Sequence, residues 1–190
     1  SYFANLHYET YDNAYFPSNG VKFHGSYSLN TDNFLEYKDD TPFSIVSGSF
    51  EGVVPITNRF SILPAVHGRL IFGKNIPFSK MNFMGGDIME RYLPEQLPFA
   101  GTTQVELMDN SLLIGALKLR QRIGNIHYLT FTGNYALSSH KIKNILREEN
   151  MFGCAITYGV DSMFGPLEAT LNYTNHSDKI GFYINLGYKF

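Results

Sequence analysis

Along the last twelve residues, Lys179 to Phe190, apolar and small or polar side chains alternate strictly: Ile180, Phe182, Ile184, Leu186, Tyr188 and Phe190 form one row, and Gly181, Tyr183, Asn185, Gly187 and Lys189 the other. A period of two is the mark of a strand with two unlike faces. The same alternation runs through Tyr2 to Tyr11, Val21 to Thr31, Phe43 to Val54, Phe60 to Phe72, Ser111 to Ile123, Ile126 to Ser138, Phe152 to Asp161 and Leu167 to Tyr173, which makes nine predicted strands. It is imperfect in two places. Phe43 and Ile45 fall on the polar row, and Pro64 interrupts a strand, where it costs a ladder bond unless it lies at a bulge or rim. By itself the pattern fits a soluble sandwich, whose apolar rows meet in a core, and a membrane barrel, whose apolar rows face lipid.

The connections separate these readings. Those near residues 12–20, 55–59, 124–125 and 162–165 are short; those at 31–42, 73–110, 139–150 and 174–178 are longer, the third polar with a helical leaning. Short turns on one side and long loops on the other are the signature of an outer-membrane barrel with its short side in the periplasm. The expected fold is therefore all-β, an antiparallel up-and-down transmembrane β-barrel. Nine is odd, whereas bacterial single-chain barrels have even strand numbers, so further strands are expected upstream, or else pairing between protomers in a homo-oligomer. Residues 73–110 lack strand alternation, and a stretch of that length implies a function or a packing role.

Composition sharpens the picture. The 190 residues include 17 Gly, 13 Tyr and 16 Phe, and only 17% are charged, against about 25% in soluble domains. A net charge of -2 and no basic face exclude nucleic acid as a partner. Cys154 stands alone, which rules out an internal disulfide and a cysteine zinc site. No apolar run is long enough for a transmembrane helix, an absence that does not bear on barrels. The opening residues lack a signal segment, which points to a mature or partial chain.

Three stretches together resemble the C-terminal part of the BamA-type superfamily of outer-membrane barrels, the bacterial surface antigen family. HYETYDNAYFPSNGVKF, His7 to Phe23, is similar to that family's hairpin, with Asp12, Phe16, Pro17 and Gly20 at its motif positions. FMGGDIMERY, Phe83 to Tyr92, is similar to the long loop that folds back into the barrel, with Gly85, Gly86 and Arg91 at the tip motif. FGPLEATLNY followed by GFYINLGYKF resembles the closing hairpin, whose last strand carries the C-terminal assembly signal at Leu186, Tyr188 and Phe190. The resemblance implies that residues 1–190 are strands eight to sixteen of a sixteen-stranded barrel in the bacterial outer membrane, with an inward-folding loop at about 73–110. It also implies membrane lipid, the outer-membrane assembly machinery and an upstream periplasmic domain as partners. Glu90 to Gly101, ERYLPEQLPFAG, is most similar to barrels attached to patatin-like lipid hydrolases. That activity requires a Gly-x-Ser-x-Gly elbow, which this sequence lacks, so the segment is expected to be non-catalytic and without cofactor. Part of an assembly or secretion machine, and a soluble β-sandwich for binding, are the rival readings.

The match has departures. Tyr92 and Glu90 replace the residues that normally flank the loop arginine, and Thr132 stands near the position of its acidic wall partner, so Arg91 is expected to pair with Glu90, Glu51 or wall hydroxyls and carbonyls. His7, His24, His67 and His127 sit on separate strands without companion acids or cysteines, which favours lumen or rim residues over a metal site. Lys22, Arg69, Lys118 and Arg120 are expected in the lumen, balanced by Glu51 and Glu168 rather than forming an anion pore. Asp12 and Asp161 read as turn caps rather than a catalytic carboxylate pair.

Overall fold

The computed structural model describes residues 1–31, 42–73, 76–86, 95–102, 107–140, 145, 149–177 and 179–187. Nine strands form one antiparallel sheet: β1 (Tyr2–Glu9), β2 (Gly20–Asn30), β3 (Phe43–Thr57), β4 (Phe60–Phe72), β8 (Ser111–Ile123), β9 (His127–Ser139), β10 (Glu149–Ser162), β11 (Gly165–Thr174) and β12 (Ile180–Leu186). Each pairs with the next in that order. Three short strands in the intervening stretch, β5 (Asn82–Met84), β6 (Gln96–Leu97) and β7 (Leu107–Asp109), make a second sheet with β5 central, parallel to β6 and antiparallel to β7. Seven of the nine main strands are 10 to 15 residues long, enough to cross a bilayer when tilted.

The register keeps like faces together. On one face Leu113 opposes Leu137, Leu119 opposes Phe131, and Phe131 opposes Ile156; farther on, Leu171 opposes Phe182 and Ala169 opposes Ile184. Large apolar side chains of this face stay exposed: Val66, Leu117, Phe131, Ile156, Leu171 and Phe182 are each 47 to 59% accessible. The other face carries polar groups, and its residues from β1 through β11 line one cavity, so the sheet curls around that face. An apolar outside and a polar inside invert the usual arrangement of a soluble sandwich. Among the described residues β1 pairs only with β2 and β12 only with β11, leaving two open edges.

Toward the long-loop end the inner face turns apolar. Met84, Leu97 and Phe99 pack there with Leu112, Ile114, Ala136 and Met151 to form the buried core. Ile45, which broke the predicted alternation, is buried opposite Ile71 on this same face.

Several expected boundaries shift. The strand predicted to end at Val54 continues through Pro55 to Thr57, with the register irregularity between Pro55 and Thr57 absorbing the proline. Only Asn58 and Arg59 are left as the turn. Pro64 is neither at a rim nor at that bulge. The β3–β4 pairing skips residues 63–64 opposite 52–53 while the β4–β8 pairing runs on through Pro64 and Leu117. The first strand stops at Glu9, because Asp12 and Asn13 draw the chain into a turn. Residues 73–110 hold β5 to β7 and the 3-10 turn Phe78–Lys80, elements too short to show a period. Most of the helical leaning of 139–150 lies outside the described residues, as do Arg91, Tyr188 and Phe190.

Candidate functional site

The inner face of the sheet bounds a cavity of about 440 Å³. Cross-strand register arranges its wall in rows. His7, His24, Ser49 and His67 face one another across β1 to β4, and the row beside it is Glu9, Lys22, Glu51 and Ala65. Farther round, Lys118 opposes Thr132, and Arg120 opposes Thr130, which opposes Thr157, then Thr170. The Thr157 and Thr170 hydroxyls lie 2.9 Å apart. The Glu9 carboxylate lies 3.6 Å from the Lys22 ammonium and 3.4 Å from His7 Nε2. Lys22, Lys118, Arg120, Glu51 and Glu168 all line the cavity, so cations and acids are interspersed.

Two stretches of chain fold onto this face, one from each end of the strands. From the short-turn end comes the β1–β2 connection. The Asp12 carboxylate accepts the backbone N–H groups of Ser18 at 2.8 Å and Asn19 at 3.2 Å, together with the Ser18 hydroxyl. Partial burial raises this carboxyl, but those hydrogen bonds outweigh burial and hold it below the ordinary value. Gly20 closes the turn at φ 117°, where a Cβ would stand 2.5 Å from the Thr10 carbonyl oxygen. The turn so shaped delivers Phe16, which is buried, into a stack on Tyr128 with ring centroids 4.2 Å apart and nearly parallel. The Arg120 guanidinium sits 5.5 Å from the Phe16 ring centre and donates to the Pro17 carbonyl at 3.4 Å. Beneath the ring is Gly159, where a Cβ would stand 2.9 Å from Phe16. Burial, then the Glu51 and Glu9 carboxylates, push the neighbouring Tyr11 hydroxyl above its usual range, with Arg120 pulling the other way.

From the long-loop end come residues 76–86 and 95–102. Asn82, wholly buried, fastens them: its Nδ2 donates to the carbonyls of Arg69 and Asn110, both at 2.8 Å, and its Oδ1 accepts the Arg69 guanidinium. Arg69 also donates to the Lys80 carbonyl at 3.0 Å. Gly85 and Gly86 are buried with φ of 152° and 65°, a backbone that glycine adopts without strain, and they enter the backbone exchange that follows. Gly85 N–H bonds the Leu97 carbonyl, Phe99 N–H the Gly86 carbonyl, Thr102 Oγ1 accepts Gly86 N–H at 3.0 Å, and Gln96 Nε2 donates to the Gly85 carbonyl at 2.5 Å. Phe99 and Gly101 then rest on Gly153 of β10, and Pro98 reaches the cavity wall.

The four hairpin positions Asp12, Phe16, Pro17 and Gly20 thus meet in one turn, and Gly85 and Gly86 pin the second stretch; Arg91, between them and β6, lies outside the described residues. Leu186 is the last residue of β12, opposite Leu167 on the apolar face, and its partners Tyr188 and Phe190 lie outside the described residues. Arg69 departs from expectation. It is on the inner face, but its guanidinium holds Lys80 and Asn82 and does not line the cavity. His7, His24 and His67 come together on the cavity wall, the first two with ring centres 6.2 Å apart, whereas His127 lies outside and shares a 2.8 Å hydrogen bond with Tyr158. Among the described residues no three His, Cys, Asp or Glu side chains converge as metal ligands. Asp12 and Asp161 belong to different turns, Asp161 giving its N–H to Ile126. Asn82, Phe99, Gly101, Tyr128 and Gly153 went unread in the sequence, since each acts through a partner remote in the chain.

A search of curated proteins finds no match to this chain. A family model described as OMP85 superfamily matches residues 1–190. Members of that superfamily are outer-membrane proteins. With its curled antiparallel sheet, apolar outer rows and polar interior, and a match over its whole length, the chain belongs to the OMP85 superfamily.

Proposed function

We propose that this chain is the C-terminal part of an outer-membrane β-barrel, serving as the anchor and conduit of a larger protein and doing no catalysis itself. One observation carries the reading: around the sheet, exposed apolar rows face outward while a polar cavity, with chain folded in from both ends, lies within. Lipid-facing rows drive insertion, and paired strands satisfy the backbone groups that lipid cannot. The open edges at β1 and β12 require further strands or another protomer, because an unpaired edge is not tolerated in a bilayer. The resemblance to strands eight to sixteen of a sixteen-stranded barrel supplies those strands from upstream. Within this reading Gly85, Gly86 and Arg91 form the tip of the inward loop, and Leu186, Tyr188 and Phe190 form the signal read by the outer-membrane assembly machinery.

The stretch Glu90 to Gly101 supports a patatin-like lipid hydrolase as the parent, joined through a periplasmic domain; the alternative parent is an assembly or secretion machine. The sequence ahead of Ser1 decides between them: a Gly-x-Ser-x-Gly elbow supports the hydrolase, and repeated periplasmic modules support the machine. The membrane reading itself is tested by refolding the chain with and without detergent or lipid. Folding that depends on an amphiphile supports it, and a monodisperse monomer without one overturns it.

A further inference from the structure

The three central strands of the main sheet, β4, β8 and β9, contain no aspartate or glutamate. The inner face of β8 nevertheless carries a line of cations, Lys118, Arg120 and Arg122, at alternate positions and so about 7 Å apart along the strand. Arg59, in the β3–β4 turn, continues the inward row of Ser61, Leu63 and Ala65, and its carbonyl accepts the Arg122 N–H at 2.7 Å. The line therefore ends at the short-turn mouth in two arginines that are cross-strand neighbours on the inner face. Arg122 Nε donates to the Gly124 carbonyl at 3.2 Å, which keeps that guanidinium at the mouth.

Depth divides the line. Lys118 and Arg120 line the cavity together with Glu51 and Glu168, and Arg120 also meets Phe16 and Pro17. Arg59 and Arg122 are exposed, and neither makes an ion pair with a described carboxylate. Glu168 shares the cross-strand row of Arg122 but stands three strands away, about 14 Å, with Tyr128 and Gly159 between. The Phe16 ring lies over both of these intervening residues. Asp12 is engaged by Ser18 and Asn19.

Like charges set opposite on paired strands repel, so the pair is relieved by an anion that serves both. A terminal phosphate offers three oxygens, and guanidinium forks bind such oxygens in pairs. Because the two side chains share the inner face, what reaches them is solute at the mouth. We infer that Arg59 and Arg122 form a binding site for a soluble, multiply charged phosphate-bearing anion at the inner edge of the short-turn mouth. Arg120 and Lys118 extend the attracting field inward from it. The site goes beyond the conduit reading by naming a solute class and two residues, and its failure leaves the membrane reading standing.

The test is calorimetric titration of the whole chain, folded in a nonionic detergent at low ionic strength, with tripolyphosphate. R59Q/R122Q should bind at least about tenfold more weakly, since an exposed charge contributes up to about fivefold. K179Q, altered at the exposed long-loop rim, should bind like the unaltered chain. R59K/R122K keeps both charges without the forks and should fall between the unaltered chain and R59Q/R122Q. No binding by the unaltered chain, equal affinity in R59Q/R122Q, an equal loss in K179Q, or a lysine pair no better than the glutamine pair overturns the site. So does tighter binding of an acidic peptide than of tripolyphosphate by the same arginines, which makes polypeptide the ligand. Displacement of tripolyphosphate by phosphatidylglycerol added to the micelles overturns it too, because the pair would then serve lipid.

Discussion

Gly153 and Gly101 touch backbone to backbone beside the Phe99 ring, and a Cβ on Gly153 would stand 2.6 Å from that ring and 2.7 Å from the Gly101 Cα. Gly153→Ala should therefore lift residues 95–102 off β10, at an overpacking cost of about 1–3 kcal/mol. Limited proteolysis of the folded protein should cut this stretch faster. Gly133→Ala, which adds its Cβ where nothing lies within 4 Å, should behave like the unaltered chain. Asp12 permits a second test at this scale. Its folded carboxyl titrates below the ordinary value, so its contribution is complete above the unfolded value of about 3.9 and is lost as pH falls through the lower folded value. Acid should loosen the turn and speed its cleavage by pepsin, whereas Asp12→Asn should show no added acid dependence over that range. Asp12 and Gly20 were legible in the sequence because a turn uses its own neighbours. Gly153 was not, since period two marks it only as a small residue on the polar row and says nothing of the backbone above it.

The strands were legible because each has two unlike faces, and Ile45 shows where that logic stops: it fell on the polar row since its end of the inner face is buried. β5 to β7 are two or three residues long and show no period. Their place depends on Asn82, a polar residue in an apolar run that gives no sign of its three hydrogen bonds to Arg69 and Asn110. Asn82→Ala removes two donated bonds and leaves the Arg69 guanidinium short of an acceptor. It should destabilise residues 76–86 and 95–102 by about 1–3 kcal/mol. Because the main sheet has its own ladder, the loss should be local. Hydrogen exchange should speed at Phe83, Gly85 and Phe99 and change little at Leu117 or Phe131.

At the scale of the whole molecule, the two faces should respond oppositely to charge. Leu117→Arg, at the middle of β8 on the outer face, should cost about 2–4 kcal/mol in a bilayer, while the same change at Ile123 near the rim should cost about 0–1. Thr132→Lys, pointing into the cavity, should cost less than Leu117→Arg. Denaturant titration in lipid vesicles checks all three, and equal losses at Leu117 and Thr132 would contradict the assignment of faces. The faces and the strand order could be read ahead of the structure, since sequential hairpins are the simplest way to join such rows. Unreadable were the contacts that cross the interior, which no local pattern encodes. Of these the Phe16 stack has a consequence for time rather than for shape. Neighbouring strands along most of the sheet can zip by short closures, whereas Arg120 bonds Pro17 across 103 positions, a closure that comes late and slowly. A chain halted before β8 arrives would carry a finished first hairpin with Phe16 still unseated, so burial of that one ring would mark the moment at which the second half of the sheet curls over the first.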